Sequence, residues 1–108
     1  MDELEKTNQV NLLIDVYGNL LTEKQQRYLS MYYEEDLSLS EIAEILEVSR
    51  NAVYDQLKRA LQSLEQYEER LGLLAKHQER LKLIEKIENE EQIQHETLHT
   101  YLERLKEI

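Results

Sequence analysis

The sequence contains no cysteine, no proline, no phenylalanine and no tryptophan, and its two glycines are Gly18 and Gly72. Without cysteine there is no disulfide framework, no thiolate zinc site and no thiol nucleophile. That suits a reducing compartment, and a cytoplasmic protein is the expectation. Without proline and with so little glycine, a helix once started meets few breakers. Long apolar runs are missing as well, since none exceeds the three residues of 12–14, against the ~20 that cross a bilayer. The opening Met1-Asp2-Glu3 is acidic rather than basic and apolar, so neither a signal peptide nor a membrane span is expected.

What remains is rich in Leu, Glu, Lys, Gln and Ile, with 41% hydrophobic and 33% charged residues in a chain of 108. This is the composition of a helical protein. The apolar residues recur at helical spacing, which gives the chain a core with which to offset its ordering entropy. The length fits one domain, or a smaller one with an appendage.

The net charge of −10 is unevenly spread. Residues 1–48 hold 11 acids and 3 bases, residues 49–72 hold 4 of each, and residues 73–108 hold 8 acids and 6 bases. Binding to a polyanion scales with the bases that neutralise phosphates. Most of the surface should therefore repel nucleic acid, and only the middle of the chain can face it.

Along the chain, Val10, Leu13, Ile14 and Tyr17 mark one face of a first helix over 2–17, with Asp2, Glu3 and Glu5 at its positive end. Gly18 is placed to end it in the left-handed conformation. Thr22-Glu23-Lys24-Gln25 reads as a capping box for a second helix that runs to residue 33 and buries Tyr28, Leu29 and Tyr32. Glu34-Glu35-Asp36 breaks it. Ser38-Leu39-Ser40-Glu41 is a second capping box, opening a short helix with Leu39, Ile42, Ala43 and Leu46 inward. Glu47-Val48-Ser49 is then a turn, and Ser49 caps a helix whose inner stripe is Val53, Leu57, Ala60, Leu61 and Leu64. Nothing stops that helix before Gly72. Beyond it, a heptad register through 74, 77, 81, 84, 88, 91, 95, 98, 102 and 105 is interrupted by His77, Glu88, Glu91 and His95, so two helices with a break near Asn89 are expected instead of a continuous coiled coil.

Residues 38–61 carry the most specific signal. Two short helices joined by a turn need a small residue at their crossing, apolar residues around the turn, and a second helix with a free outer face. Ala43, then Leu46 and Val48, then Val53, Leu57 and Leu61 supply these in order. The first turn residue favours a left-handed backbone, where Gly is best; Glu47 occupies it at a cost on the order of 1 kcal/mol.

The string from residue 39 to 60, with Val-Ser-Arg-Asn-Ala-Val-Tyr-Asp at 48–55 and Leu-Leu-Thr-Glu-Lys-Gln-Gln at 20–26, resembles the promoter-reading region-4 domain of bacterial sigma factors. It is more similar still to the small bacterial YlxM family, strongly over residues 10–70 and by size and helical character after that. The resemblance implies a regulatory role without catalytic residues. It also implies a link to the signal recognition particle, because in that family the genes lie beside those for the particle's targeting GTPases.

The outer face of the second motif helix presents Arg50, Asn51, Tyr54, Asp55, Lys58, Arg59 and Gln62. Its N-terminal members would reach base edges in a major groove, where Arg suits guanine and Asn adenine. Against DNA reading, Asp55 sits centrally and only Arg50, Lys58 and Arg59 can neutralise phosphates. The same face can dock a protein or a structured RNA, and fold alone does not choose.

Other patterns carry less. His95-Glu96-Thr97-Leu98-His99 matches a zinc-peptidase motif, but such a site needs a third ligand and a cleft; two surface histidines are the expectation, and no metal site is assigned. His77, between Leu73 and Leu81, reads as a half-buried packing residue. Glu34-Glu35-Asp36, and Glu88 with Glu90 and Glu91, read as solvated charge. Tyr17, Tyr28 and Tyr32 read as core, with Tyr33 and Tyr54 exposed. No Gly-rich phosphate loop, dinucleotide fingerprint or Ser-His-Asp order is present, so no enzyme and no cofactor is expected.

The sequence thus predicts an all-α protein: a sigma region-4-like helix-turn-helix bundle over 1–70 and a long helical C-terminal extension over 71–108. The extension is the candidate oligomerisation arm, with Leu81, Ile84, Leu98 and Leu105 available to a second copy in a homodimer. The expected function is accessory to the signal recognition particle, through its protein or RNA; a sequence-specific DNA-binding regulator is the alternative.

Overall fold

A computed structural model describes residues 2–90 and 92–108. Met1 and Glu91 lie outside the described residues, and with Glu91 one position of the heptad and one member of the second acidic cluster. The described residues hold six α-helices and no strand: α1 Glu3–Tyr17, α2 Glu23–Leu29, α3 Leu39–Leu46, α4 Arg50–Leu71, α5 Leu73–Asn89 and α6 His95–Glu107. The all-α helix-turn-helix architecture is as the sequence predicts. By contacts the chain forms two compact units, Met1–Leu71 and Gly72–Ile108.

In the first unit α4 is the element against which α1, α2 and α3 all pack. Its inner stripe is dry, with Val53, Ala60 and Leu64 at 0% exposure and Leu57 at 6%. Burying each of the larger aliphatic side chains is worth about 1.5–3 kcal/mol. Facing them are Leu13 and Tyr17 of α1, Tyr28 and Leu29 of α2, and Ile42 and Ala43 of α3, all buried. Leu39, Leu46 and Leu61, on the margins of their stripes, are half-buried.

Local signals set the helix starts. The Asp2 carboxylate accepts from the Glu5 amide at 2.8 Å. Both capping boxes close in full: the Gln25 amide donates to Thr22 Oγ1 at 3.1 Å and the Thr22 amide to Gln25 Oε1 at 3.1 Å. At the second, the Glu41 amide donates to Ser38 Oγ at 3.0 Å and the Ser38 amide to Glu41 Oε1 at 3.1 Å. Two unpaired donors are satisfied at each end.

Two expectations are corrected here. Gly18 is right-handed (φ −53°) and opens a 3₁₀ turn over Gly18–Leu20. A Cβ there would lie 3.3 Å from Ile14 Cγ2, so close approach rather than left-handed backbone is what a glycine serves. Its carbonyl and that of Leu21 accept from the Gln26 side chain at 2.9 and 3.1 Å, which ties the turn to α2. The left-handed glycine is Gly72, at φ 62°.

Secondly, α2 does not run to residue 33 as a regular helix. It widens into a π-helical segment, Ser30–Glu34, with the Glu35 amide donating to the Ser30 carbonyl at 3.0 Å. The wider turn shifts the phase of the face. Met31 is carried into the core at 6% exposure, and Tyr32 is left half-buried. Tyr33, expected at the surface, is half-buried too and meets Tyr32 edge-on at 4.9 Å. Asp36, at φ 60°, ends the segment in the left-handed region.

In the second unit α5 and α6 pair, and the break after Asn89 falls where the sequence places it. Leu83 is buried, and Ile87, Leu98, Tyr101 and Leu105 are half-buried. Arg104 of α6 donates through Nε and Nη2 to Glu79 of α5, the former at 2.7 Å. That carboxylate holds the guanidinium above its ordinary pKa. Lys106 donates to Glu103 at 3.0 Å, and this bond holds the Glu103 carboxyl below the usual range. His77 is a further correction: it is exposed, lying between the stripe of Glu79, Arg80, Leu83 and Ile87 on one side of α5 and the buried Leu74 on the other.

Candidate functional site

The motif is assembled by α3, a tight turn and the N-terminal half of α4. At the end of α3 the Val48 amide donates to the Ala43 carbonyl at 3.0 Å and the Glu47 amide to the Glu44 carbonyl at 3.4 Å. This pair of bonds is a Schellman closure, which requires a left-handed residue. Glu47 supplies it, at φ 56° and ψ 45°. Ser49 then starts α4: the Ala52 amide donates to its Oγ at 3.0 Å and the Val53 amide to its carbonyl at 3.2 Å. A capping serine is worth about 1 kcal/mol, and here it fixes where the outer face of α4 begins.

Burial of Val53, Leu57 and Ala60 turns the other side of α4 outward. Arg50, Asn51, Tyr54, Asp55, Lys58, Arg59 and Gln62 are all exposed, Tyr54 by 52%. At ~100° per residue, Asn51, Tyr54, Asp55, Lys58 and Gln62 share one strip, and Arg50 and Arg59 flank it on opposite sides. Among the described residues no ion pair engages Arg50, Lys58 or Arg59. The three guanidinium and ammonium groups are thus available to a ligand, while Asp55 divides them.

Two bases that sequence reasoning passed over stand beside the turn. Lys24 and Arg27 of α2 line a surface cleft of about 430 Å³ with Glu23, Tyr28, Leu46 and Val48. The available signal was that they are two of the three bases in residues 1–48; only the packing of α2 and α3 on the same helix, α4, brings them to the motif.

The His95 and His99 rings stack with centroids 6.5 Å apart, and His99 Nε2 lies 4.0 Å from Glu103 Oε1. Both imidazoles are exposed. Among the described residues no three His, Cys, Asp or Glu side chains are grouped to hold a metal ion. In the acidic break Glu34 accepts from Ser30 Oγ at 3.0 Å, and Glu35 and Asp36 face solvent. No helix of the described residues is long and apolar enough to cross a membrane.

The model of the UPF0122 family, described as helix-turn-helix proteins, YlxM/p13-like, matches residues 4–105. The chain belongs to that family. A UPF0122 protein of Listeria innocua is 51% identical over 107 residues, covering 96% of this chain and 97% of that protein. One from Bacillus cereus is 48% identical over 108 residues, covering 97% and 98% respectively. One from Exiguobacterium sibiricum is 56% identical over 84 residues, covering 78% and 79%. The UPF0122 match extends through both units, so the likeness seen at 48–55 and 20–26 reaches well into the C-terminal helices.

Proposed function

We propose that this UPF0122 protein is a non-enzymatic accessory factor of the signal recognition particle pathway that acts in the cytoplasm. It docks on a protein or ribonucleoprotein partner through the outer face of α4. The observation that carries the reading is the exposed strip of Asn51, Tyr54, Asp55 and Lys58, flanked by Arg50 and Arg59, which no ion pair among the described residues engages. Three bases around a central carboxylate, on a chain of net charge −10, give too little phosphate neutralisation to hold duplex DNA by charge. They suit a shaped surface that contributes its own contacts. The particle as partner class rests on the YlxM likeness. A homodimer joined through the helices after Gly72 completes the proposal, supported by Leu81 and Ile84 at 51% and 40% exposure.

Duplex reading is the second interpretation, favoured by the position of Arg50 and Asn51 in the first turn of α4. A gel shift with the particle's RNA, with and without its GTPase, tests the first reading. Retention that is lost in Arg50→Ala with Lys58→Ala supports it, and unchanged binding by the double variant overturns it.

A further inference from the structure

Helix α6 opens on two imidazoles. His95 is its first residue and His99 follows one turn later, so at ~100° per residue the two side chains stand one above the other on a single face. Their rings are nearly parallel, at 19°, with centroids 6.5 Å apart, and both residues are exposed, the His99 side chain by 65%. Among the described residues the one ion-pair contact of either ring is His99 Nε2 with Glu103 Oε1 at 4.0 Å, a carboxylate already held by Lys106. A hydrolytic zinc site needs a third protein donor and a cleft, and no grouping of three donors is present among the described residues. A two-point chelate needs neither.

We propose that His95 and His99 together chelate one divalent transition-metal cation of the zinc class across the first turn of α6, with water completing its coordination. Two zinc–nitrogen bonds of ~2.0–2.1 Å at a tetrahedral angle set the donor nitrogens about 3.3 Å apart. Exposed rings 6.5 Å apart on one face reach that spacing by side-chain rotation alone. Imidazole suits zinc and its first-row neighbours, whereas magnesium and calcium demand oxygen donors. The chelate also acts on the helix. Gln94 caps α6 without a side-chain hydrogen bond, and the Leu98 amide donates to its carbonyl at 3.0 Å. A cation bridging residues 95 and 99 closes the same turn through the side chains, and it favours the folded helix because only there are the two rings held together. The positive end of the helix opposes a cation at this place; the exposed carboxylates Glu96, beside it, and Glu103, one turn on, offset that. Two protein donors in place of the four of a structural site make the affinity modest, with a Kd on the order of 10 μM.

The absence of cysteine and the presence of a third, separate histidine make the test direct. The full chain, free of any tag, is titrated with zinc chloride by calorimetry, and with magnesium chloride as the oxygen-donor control. One equivalent of zinc per chain is expected, and no uptake of magnesium in the same range. His95→Ala and His99→Ala should each weaken zinc binding at least about tenfold, since a single imidazole is no chelate. His77→Ala, which removes an equally exposed imidazole from α5, should leave the isotherm unchanged. His99→Gln keeps a polar side chain and should lose zinc as His99→Ala does, with the metal-free circular dichroism spectrum of each variant matching the wild type. Thermal melts should shift upward with zinc in the wild type and in His77→Ala, and stay fixed in His99→Gln. A wild type that takes up no zinc overturns the site. Binding that survives His95→Ala and His99→Ala, or a magnesium isotherm equal to that of zinc, overturns it equally by assigning the cation to other donors.

Discussion

The Tyr17 hydroxyl, on a ring with 0% exposure, donates to Glu68 Oε1 at 2.5 Å across 51 positions of sequence. It pins the end of α1 to the late turns of α4, the helix on which the whole first unit is built. Tyr67 lies against the same ring at 5.9 Å. Removing the hydroxyl takes one hydrogen bond from a part-buried carboxylate, and a bond to a charged group is worth about 1.5–3 kcal/mol.

Tyr17→Phe should therefore lower the melting temperature, by ~4–8 °C per kcal/mol for a domain of this size. Thermal melts followed by circular dichroism check it. An unchanged midpoint would show that the bond contributes nothing net.

Glu47 holds a left-handed backbone with a side chain that is exposed. Glu47→Gly should raise stability by about 1 kcal/mol, since the Schellman turn is kept and the steric cost of a Cβ at φ 56° is removed. The urea midpoint should move up with an unchanged slope. A lower midpoint would mean that the glutamate stabilises the turn in some way beyond its backbone.

Burial pushes the Tyr33 phenol above the 10.0 of a free tyrosine, with Tyr32 adding to the shift. An acid with a raised folded pKa keeps its proton longer in the native state, so the native state binds more protons than the unfolded chain above pH 10. Its contribution is present below that pH and is lost as pH rises through the folded value. Absorbance titration of the tyrosinates should show a late component that Tyr33→Phe removes. Retention of that component in the variant would reassign it to another tyrosine.

Much of the fold was legible because its signals are short-range. The boxes at Thr22 and Ser38, the cap at Ser49 and the turn at Glu47 each depend on residues within four positions of one another, and each forms as read. The misreadings share one cause, which is that packing partners are remote in sequence. The place of Gly18 after a helix suggests a left-handed stop, but its role is set by contact with Ile14 and a hydrogen bond from Gln26. Tyr32 keeps helical spacing from Tyr28, yet the π segment turns it off the core. His77 sits among leucines in sequence, and which flank of α5 meets α6 decides its exposure. Within the candidate site the strip on α4 could be read from periodicity. Lys24 and Arg27 could not, because α2 reaches the turn only through tertiary packing.

The docking role of α4 is tested most directly by competition between two nucleic-acid classes on the immobilised protein. Reconstituted signal recognition particle, RNA with its targeting GTPase, is offered alongside a random pool of duplex DNA at fixed salt. The account predicts that the particle is retained, that no discrete duplex is enriched, and that Arg50→Ala with Lys58→Ala lowers retention at least about tenfold, or ~1.4 kcal/mol. Enrichment of a discrete duplex in place of the particle, or full retention by the double variant, would contradict it.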